Sequence, residues 1–436
     1  MRILVIGSGG REHALAWAID RSPGVEKLWI APGNPGTEGL GINISLDPRD
    51  CESIGEFCLK ESIDLVVVGP ENPLAAGIAD FLWEKGISTF GPVKAGANLE
   101  ASKSAAKDFM SRHGIPHPQY MVFKASEDAV NYVRSTPGPW VIKADGLAFG
   151  KGVTITGEIH EAIDIINELL SGRLYGQAGK QIVIEEFLEG VEATAMALCD
   201  GNSICPLPMA KDHKRVFDGD KGPMTGGMGA YSPLPFLSRE MENQICQDIL
   251  HRTFLGLKKD GIDYRGVIYA GLMITKTGPK VLEYNVRFGD PEAQCVLPRL
   301  SGSVAGLLMA CAKGDLQEFL SENEIGVRNE ASVTVVMASK GYPGKYDKGS
   351  RIEGLFPAEA VSQGDIVVFH AGTGKDEEGH LVNSGGRVLG VTALGATIDE
   401  ARARAYEAVQ EIKFPGAYYR KDIGKSLVAE DCQGLR

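Results

Sequence analysis

From Arg2 to Pro92 short apolar runs alternate with stretches of helical period. Ile3–Ile6, Lys27–Ala31, Asp64–Val68 and Ser88–Phe90 read as strands, and Glu12–Ala18 and Ile78–Lys85 as helices. A run such as Ile3-Leu4-Val5-Ile6 suits a buried strand, and the strand–helix rhythm predicts a parallel sheet with helices on both faces. The spacing then predicts a helix over Asn98–His113, closed by Gly114 and Pro116. Beyond it the pattern changes to strand–turn–strand. Trp140–Lys143, Gly152–Thr156, Gln181–Glu186, Val267–Thr275 and Lys280–Val286 read as strands, with a helix over Glu161–Leu170. This middle section is α+β, built from hairpins rather than crossovers. After about Gly326 come strands Ser332–Ala338, Ile366–Ala371 and Arg387–Thr392, then an amphipathic helix over Asp399–Ile412. The expected architecture is multidomain α/β and α+β: an N-terminal parallel-sheet α/β domain at 1–102, a central domain at 103–325 and a small C-terminal α/β domain at 326–436. No internal repeat is present.

Three domains of about 150 residues match the length of 436. Composition narrows the function more than the fold. Lys and Arg number 45 against 57 Asp and Glu, a net charge of −12, and no basic face stands out. That argues against a nucleic-acid partner. Any phosphate must be held locally, by backbone amides, a few cationic side chains or a metal. The eight cysteines form no C-x-x-C pair, a pattern expected of a reducing cytoplasm rather than a zinc site or disulfide framework. The apolar run at the N-terminus is too short for a signal peptide, and no stretch approaches the ~20 apolar residues of a membrane helix. A cytoplasmic enzyme, monomeric and without a membrane partner, is expected.

Glycine, at 55 residues, exceeds the usual proportion of about 7%, and eleven of the glycines sit in three loops. Gly7-Ser8-Gly9-Gly10-Arg11-Glu12-His13 follows the first strand and opens the first helix, where free amides favour an anion. It is not a dinucleotide fingerprint: Glu12 stands where the third glycine belongs, and the second strand ends without an acid for a ribose. A phosphate or sugar-phosphate site and a purely structural turn both remain open. Lys143–Gly152 is a glycine-rich turn, unlike a Walker loop in spacing and in feeding a strand, and closer to loops that fold over ATP phosphates. Lys143, at the strand end, can reach a phosphate; the alternative is a flexible hairpin with a solvated lysine. Asp218–Gly229 holds five glycines and reads, together with Asp212-His213-Lys214-Arg215, as an active-site lid of mobile or unusual backbone.

Glu283-Tyr284-Asn285-Val286-Arg287 is the most pointed stretch. Alternation on a strand puts Glu283, Asn285 and Arg287 on one face. A carboxylate beside an amide oxygen suits a hard cation such as Mg²⁺, and Arg287 can grip an anionic oxygen in bidentate fashion. A polar face tied by a Glu–Arg pair is the structural alternative. Glu185–Gly190 ends a strand and can offer backbone groups to an adenine edge.

In this order the segments VIGSGGREHALAW, VVVGPENPL, VIKADGLAFGKGV, IVIEEFLEG, DHKRVFDGDKGPMTGGMGAYSP and VLEYNVRFGDPEAQ resemble the phosphoribosylamine–glycine ligases (glycinamide ribonucleotide synthetases), a purine-biosynthetic family of the ATP-grasp superfamily. FHAGT, GGRVLGVTALG and YRKDIG extend the resemblance through the third domain. It implies a central ATP-grasp domain with a lid subdomain at about 120–190. It also implies an ATP-dependent ligation of glycine to 5-phosphoribosylamine through glycyl phosphate, with Mg²⁺ or Mn²⁺. By the same resemblance Glu283 and Asn285 hold the metal, and Lys103, Lys143 and the Gly150 loop meet the ATP phosphates. Glu185 and Leu188 contact adenine through the backbone, and Glu192 takes the ribose. Arg287, Lys143 and Asp212 are the implied catalytic groups. Gly9, Gly10, Arg11, Glu12, Asp212, Arg287 and Asp290 are implied on the substrate side. Phe149, Val191 and Met224 depart from the family pattern. Another ATP-grasp carboxylate–amine ligase, or a biotin carboxylase-like enzyme, is the alternative that shares Lys143, Glu283 and Asn285.

Overall fold

The computed structural model describes residues 1–147, 152–172, 179–355 and 365–425. Strands β1 (Arg2–Gly7), β2 (Lys27–Pro32), β3 (Ile42–Asn43), β4 (Leu65–Val68) and β5 (Thr89–Phe90) form a parallel sheet in the order β3-β2-β1-β4-β5. Ile3 to Ile6 are completely buried, as an unbroken apolar run in a helix-covered sheet requires. The strand order reverses between β1 and β4, so Gly7 and Gly69 flank the crevice where such sheets receive ligands.

The predicted helix Asn98–His113 is two helices, Lys94–Ala101 and Lys103–Arg112. Ser102 breaks it in an extended conformation; its hydroxyl accepts the Ala105 amide at 3.1 Å and donates to Asp145 at 3.1 Å. A serine N-cap overrides the continuous period. The restart places Lys103 in the first turn of the second helix.

Strands β6 (Tyr120–Phe123), β7 (Trp140–Ala144), β8 (Val153–Thr156) and β9 (Ile182–Glu186) make an antiparallel sheet in the order β6-β9-β7-β8. Helices Ser126–Ser135 and Ile159–Leu170 complete this body, whose core of Phe123, Val133, Trp140, Ile142, Ile166 and Ile184 is a cluster of its own. Gly150 and Phe149 lie outside the described residues.

The chain continues through β10 (Val191–Asp200), β11 (Ile204–Pro206), β12 (Lys211–Asp212), β13 (Arg215–Phe217), β14 (Lys221–Met224), β15 (Gly229–Ser232), β16 (Arg265–Thr275) and β17 (Gly278–Asn285). Four of these form the central sheet, ordered β11-β10-β16-β17. After them come β18 (Ala331–Ala338), β19 (Ile366–His370) and β20 (Arg387–Gly395). These pair with two strands from the middle of the chain in the order β12-β15-β18-β20-β19, every contact antiparallel. The glycine-rich segment is therefore woven into the C-terminal sheet. Its hairpin β13–β14 is pinned by Arg420, whose guanidinium reaches Asp220 at 2.6 Å and the Arg215 carbonyl at 3.0 Å. Of the two expectations, mobile or unusual backbone, the structure shows the unusual shape, with left-handed Gly219, Asp220 and Gly222 at the tip of the tied hairpin.

One apolar cluster runs through the N-terminal, central and C-terminal sheets, including Leu4, Ile268 and Val335. Among the described residues no helix is long and apolar enough to cross a membrane. The seven described cysteines are all free.

Candidate active site

Where the central sheet meets the β6-β9-β7-β8 sheet, a cavity of about 400 Å³ opens. Lys103 and Lys143 enter it from the restarted helix and from the end of β7. Lys103 Nζ donates to the Gly146 carbonyl at 3.1 Å, and burial lowers its pKa. Lys143 Nζ lies 2.8 Å from Glu185 Oε1 and donates to the Leu282 carbonyl at 3.2 Å. A second ammonium, Lys107, meets the other oxygen of the same carboxylate at 3.1 Å. The Leu282 carbonyl is available because β17 bulges there: Gly271 pairs with Glu283 and Leu272 with Val281, leaving Leu282 unpaired. Leu188 also lines the cavity. Glu185, expected to contribute through its backbone, thus has a buried side chain that joins two lysines.

Glu283 and Asn285 project from the end of β17 and both line the cavity. Lys214 Nζ is 3.8 Å from Glu283 Oε1 and 3.1 Å from Glu192 Oε2. Burial alone would raise the Glu283 pKa; Lys214, Lys143, Lys103 and Arg287 outweigh it and hold the carboxylate below its usual range. An ionised carboxylate beside an amide oxygen is a donor set for a hard divalent cation. Asp212 differs. Burial pushes its pKa up to about 7, Lys214 opposes the rise, and Glu292, Glu192 and Glu283 add to it. It is placed to hold or release a proton near neutrality.

Arg287 does not pair with Glu283. Its guanidinium lies 2.8 Å from Glu100 and 3.4 Å from Glu71, which fixes its plane against the cavity. Arg11 and Asp290 line the same end. Arg387, from β20, reaches the Asp290 carboxylate at 3.3 Å and its carbonyl at 2.7 Å, and the Gly226 carbonyl at 2.5 Å.

The loop after β1 is arranged differently from the expectation. Glu12 turns back into the crevice, accepting the Gly9 amide at 2.6 Å and Arg11 Nε at 2.6 Å. The anion at this helix N-terminus is the chain's own carboxylate. Glu12, Gly9 and Gly10 do not line the cavity; a Cβ on Gly10 would meet Gln294 at 2.4 Å. His13 is buried and neutral, its Nδ1 accepting the His370 amide at 2.8 Å.

Sequence reasoning missed Lys107, Lys214, Glu71, Glu100, Glu292 and Arg387. Lys107 follows Lys103 by one helical turn and Lys214 follows Asp212 by two positions, so both carried a periodic signal. Arg387 lies within the GGRVLGVTALG motif but carried no signal of its place in the site; only the shared C-terminal sheet brings it in. Of the departures, Met224 lines the cavity and Val191 begins β10, opposite Ile274.

Family models for phosphoribosylglycinamide synthetase match the chain in three parts: the N domain at residues 1–100, the ATP-grasp (A) domain at 101–293 and the C domain at 332–426. The chain is 48% identical over 431 residues to the phosphoribosylamine–glycine ligase of Rhizobium meliloti (strain 1021), covering 99% of this chain and 100% of that one. A crystal structure of phosphoribosylamine–glycine ligase from Thermotoga maritima superposes with a TM-score of 0.81 at 35% identity, covering 97% of this chain and 100% of that one. The biotin carboxylase domain of Hydrogenobacter thermophilus 2-oxoglutarate carboxylase has a TM-score of 0.70 at 16% identity, covering 96% and 91%, a likeness of fold alone.

Proposed function

Because the chain belongs to the phosphoribosylglycinamide synthetase family, we propose that it joins glycine to 5-phosphoribosylamine at the expense of ATP, giving glycinamide ribonucleotide, ADP and phosphate in purine biosynthesis. The observation that carries this reading is the convergence of Lys103, Lys143, Glu283, Asn285, Asp212 and Arg287 on one cavity. A glycine carboxylate is a poor electrophile. Transfer of the terminal phosphoryl group to a carboxylate oxygen gives an acyl phosphate, glycyl phosphate. The amine of phosphoribosylamine then attacks its carbonyl carbon, the C–N bond forms, and the C–O bond breaks to release phosphate.

Each role below is part of the proposal. Lys103 and Lys143 bind the nucleotide phosphates in a cavity where low dielectric strengthens each charge contact. The backbone at Glu185 and Leu188 meets adenine, and Glu192 the ribose. A divalent cation, Mg²⁺ or Mn²⁺, held by Glu283 and Asn285 would supply positive charge to the phosphate oxygens. Arg287, its plane set by Glu71 and Glu100, steadies the phosphoryl group in transit. Asp212, with its pKa near 7, takes the proton that the attacking amine must lose. Asp290 and Arg11, braced by Arg387 and Glu12, form the ribosylamine side; Gly9 and Gly10 shape it without entering the cavity.

The test is ADP release with ATP, Mg²⁺, glycine and freshly generated phosphoribosylamine. ADP formed equally well without the ribosylamine, or with bicarbonate replacing glycine, would overturn the assignment and favour the carboxylase-like alternative.

A further inference from the structure

Lys107 is a buried ammonium to which none of the roles above is assigned. Its Nζ lies 3.1 Å from Glu185 Oε2 and donates to the Leu282 carbonyl at 3.2 Å. Lys143 mirrors it, 2.8 Å from Glu185 Oε1 and 3.2 Å from the same carbonyl. Each carboxylate oxygen therefore has its own ammonium, and the carbonyl freed by the β17 bulge accepts from both. The three side chains are 2%, 6% and 1% exposed, so solvent screens these charges weakly. Two ammoniums and one carboxylate leave the group with a net charge of about +1 at neutral pH. With Lys143 and Glu185 alone the pair would be neutral, and an anion beside it would meet no excess positive charge from this group.

We infer that Lys107 is a positioning residue for the nucleotide: it neutralises Glu185 and shares the Leu282 carbonyl, so that the Lys143 ammonium stays in place with its charge available to the phosphates. This rests on the nucleotide reading of the cavity. The charge count makes a reversal the signature. Replacing Lys107 alone takes the group from +1 to 0, whereas replacing Lys107 and Glu185 together returns it to +1.

The test uses the full chain and ADP as the probe, measured by titration calorimetry, with steady-state kinetics alongside. Lys107→Met weakens ADP binding by about tenfold, equivalent to about 1.4 kcal/mol, and raises KM for ATP while KM for glycine holds. Lys107→Met with Glu185→Gln recovers ADP affinity to within about threefold of the unsubstituted protein. Lys107→Arg, which keeps the charge, retains most of it. A Lys107→Met protein that binds ADP normally overturns the inference, and so does a double variant weaker than the single one, because a merely structural lysine gives cumulative damage. Should Lys107→Met not fold, the double variant decides alone: a tenfold loss of ADP affinity there overturns the inference. An unsubstituted protein that fails to bind ADP refutes the nucleotide reading itself, a distinct result.

Discussion

Glu283→Gln separates the metal reading from a structural one because the two make demands of different size. In the structure Glu283 Oε1 sits 3.8 Å from Lys214 Nζ, and its side chain is 35% exposed. At that separation the gross Coulomb term is about 4 kcal/mol for an effective dielectric of about 20. The net loss is much smaller. Lys214 keeps Glu192 at 3.1 Å, and exposure of both groups to the cavity brings the contribution to about 1 kcal/mol or less. For a protein of this size such a loss lowers Tm by about 2 °C. The metal, by contrast, loses the only charged group of its proposed protein ligand pair. Outer partners alone change metal affinity by about 10- to 100-fold, so removing the carboxylate itself should cost at least about 100-fold. The assay is the initial rate of ADP formation across a Mg²⁺ titration, with a thermal melt of the same preparation. The expected result is a near-unchanged melt and a Mg²⁺ requirement raised by about two orders of magnitude. An unaltered Mg²⁺ dependence removes Glu283 from the metal site. A melt lowered by about 10 °C or more would refute the energetic argument, since it would make Glu283 chiefly a counter-charge for the lysines around it.

Gly69→Ala places a Cβ 2.2 Å from Glu12 Oε1, displacing the carboxylate that caps Gly9 and holds Arg11. Urea unfolding should show a loss of about 1–3 kcal/mol; an unchanged midpoint would mean that Glu12 has room to move. Arg387→Ala removes the bridge between β20, Asp290 and Gly226 and should raise KM for the ribosylamine more than KM for ATP, checked by varying each substrate in turn. Burial, aided at His13 by its neighbour His370, depresses His13 to about 3, and burial depresses His370 to about 4; His213 falls to about 4 through burial, with Arg420 and Lys211 adding to it. The unfolded chain takes up these protons below about pH 6.5 and the native state does not, so stability falls as pH drops from about 6.5 towards 4, by up to about 1.4 kcal/mol per unit per histidine. Asp212, raised to about 7, runs the other way: its protonated form favours the native state, a contribution lost as pH rises from about 4 to 7. Urea midpoints at pH 5 and 7 should therefore differ by less in His370→Asn than in the unsubstituted protein, and an equal difference would count against a neutral buried His370.

The elements nearest the N-terminus were legible because their information is local. An apolar run of four, a glycine turn and a helical period identify β1 and the helix behind it without reference to any distant residue. The same holds for the face of β17 that carries Glu283 and Asn285, since alternation along a strand is a property of the backbone. Where local rules compete, reading by period fails: Ser102 caps a new helix inside a stretch of continuous helical spacing. The loop after β1 shows a different limit. Its sequence leaves an anion site and a structural turn both open; the Gly9 amide does meet an anion, but it is Glu12, three residues onward in the same chain.

Sequence alone determined the ordered set of motifs, the strand and helix alternation of the first domain and the residue types the chemistry requires. Tertiary structure decided which charges meet. Lys107 and Lys143 share Glu185 only because the restarted helix, the β6-β9-β7-β8 sheet and the bulge at Leu282 come together. Arg387 reaches Asp290 because two strands of the glycine-rich segment join a sheet completed far downstream. Arg287 lies just past the end of β17, off the strand face expected for it, and is paired with Glu71 and Glu100 from elsewhere in the chain rather than with Glu283. The physical reason is range. Backbone period and turn chemistry act over a few residues, whereas the strength of a charge contact depends on distance and burial, and both exist only once the chain has folded.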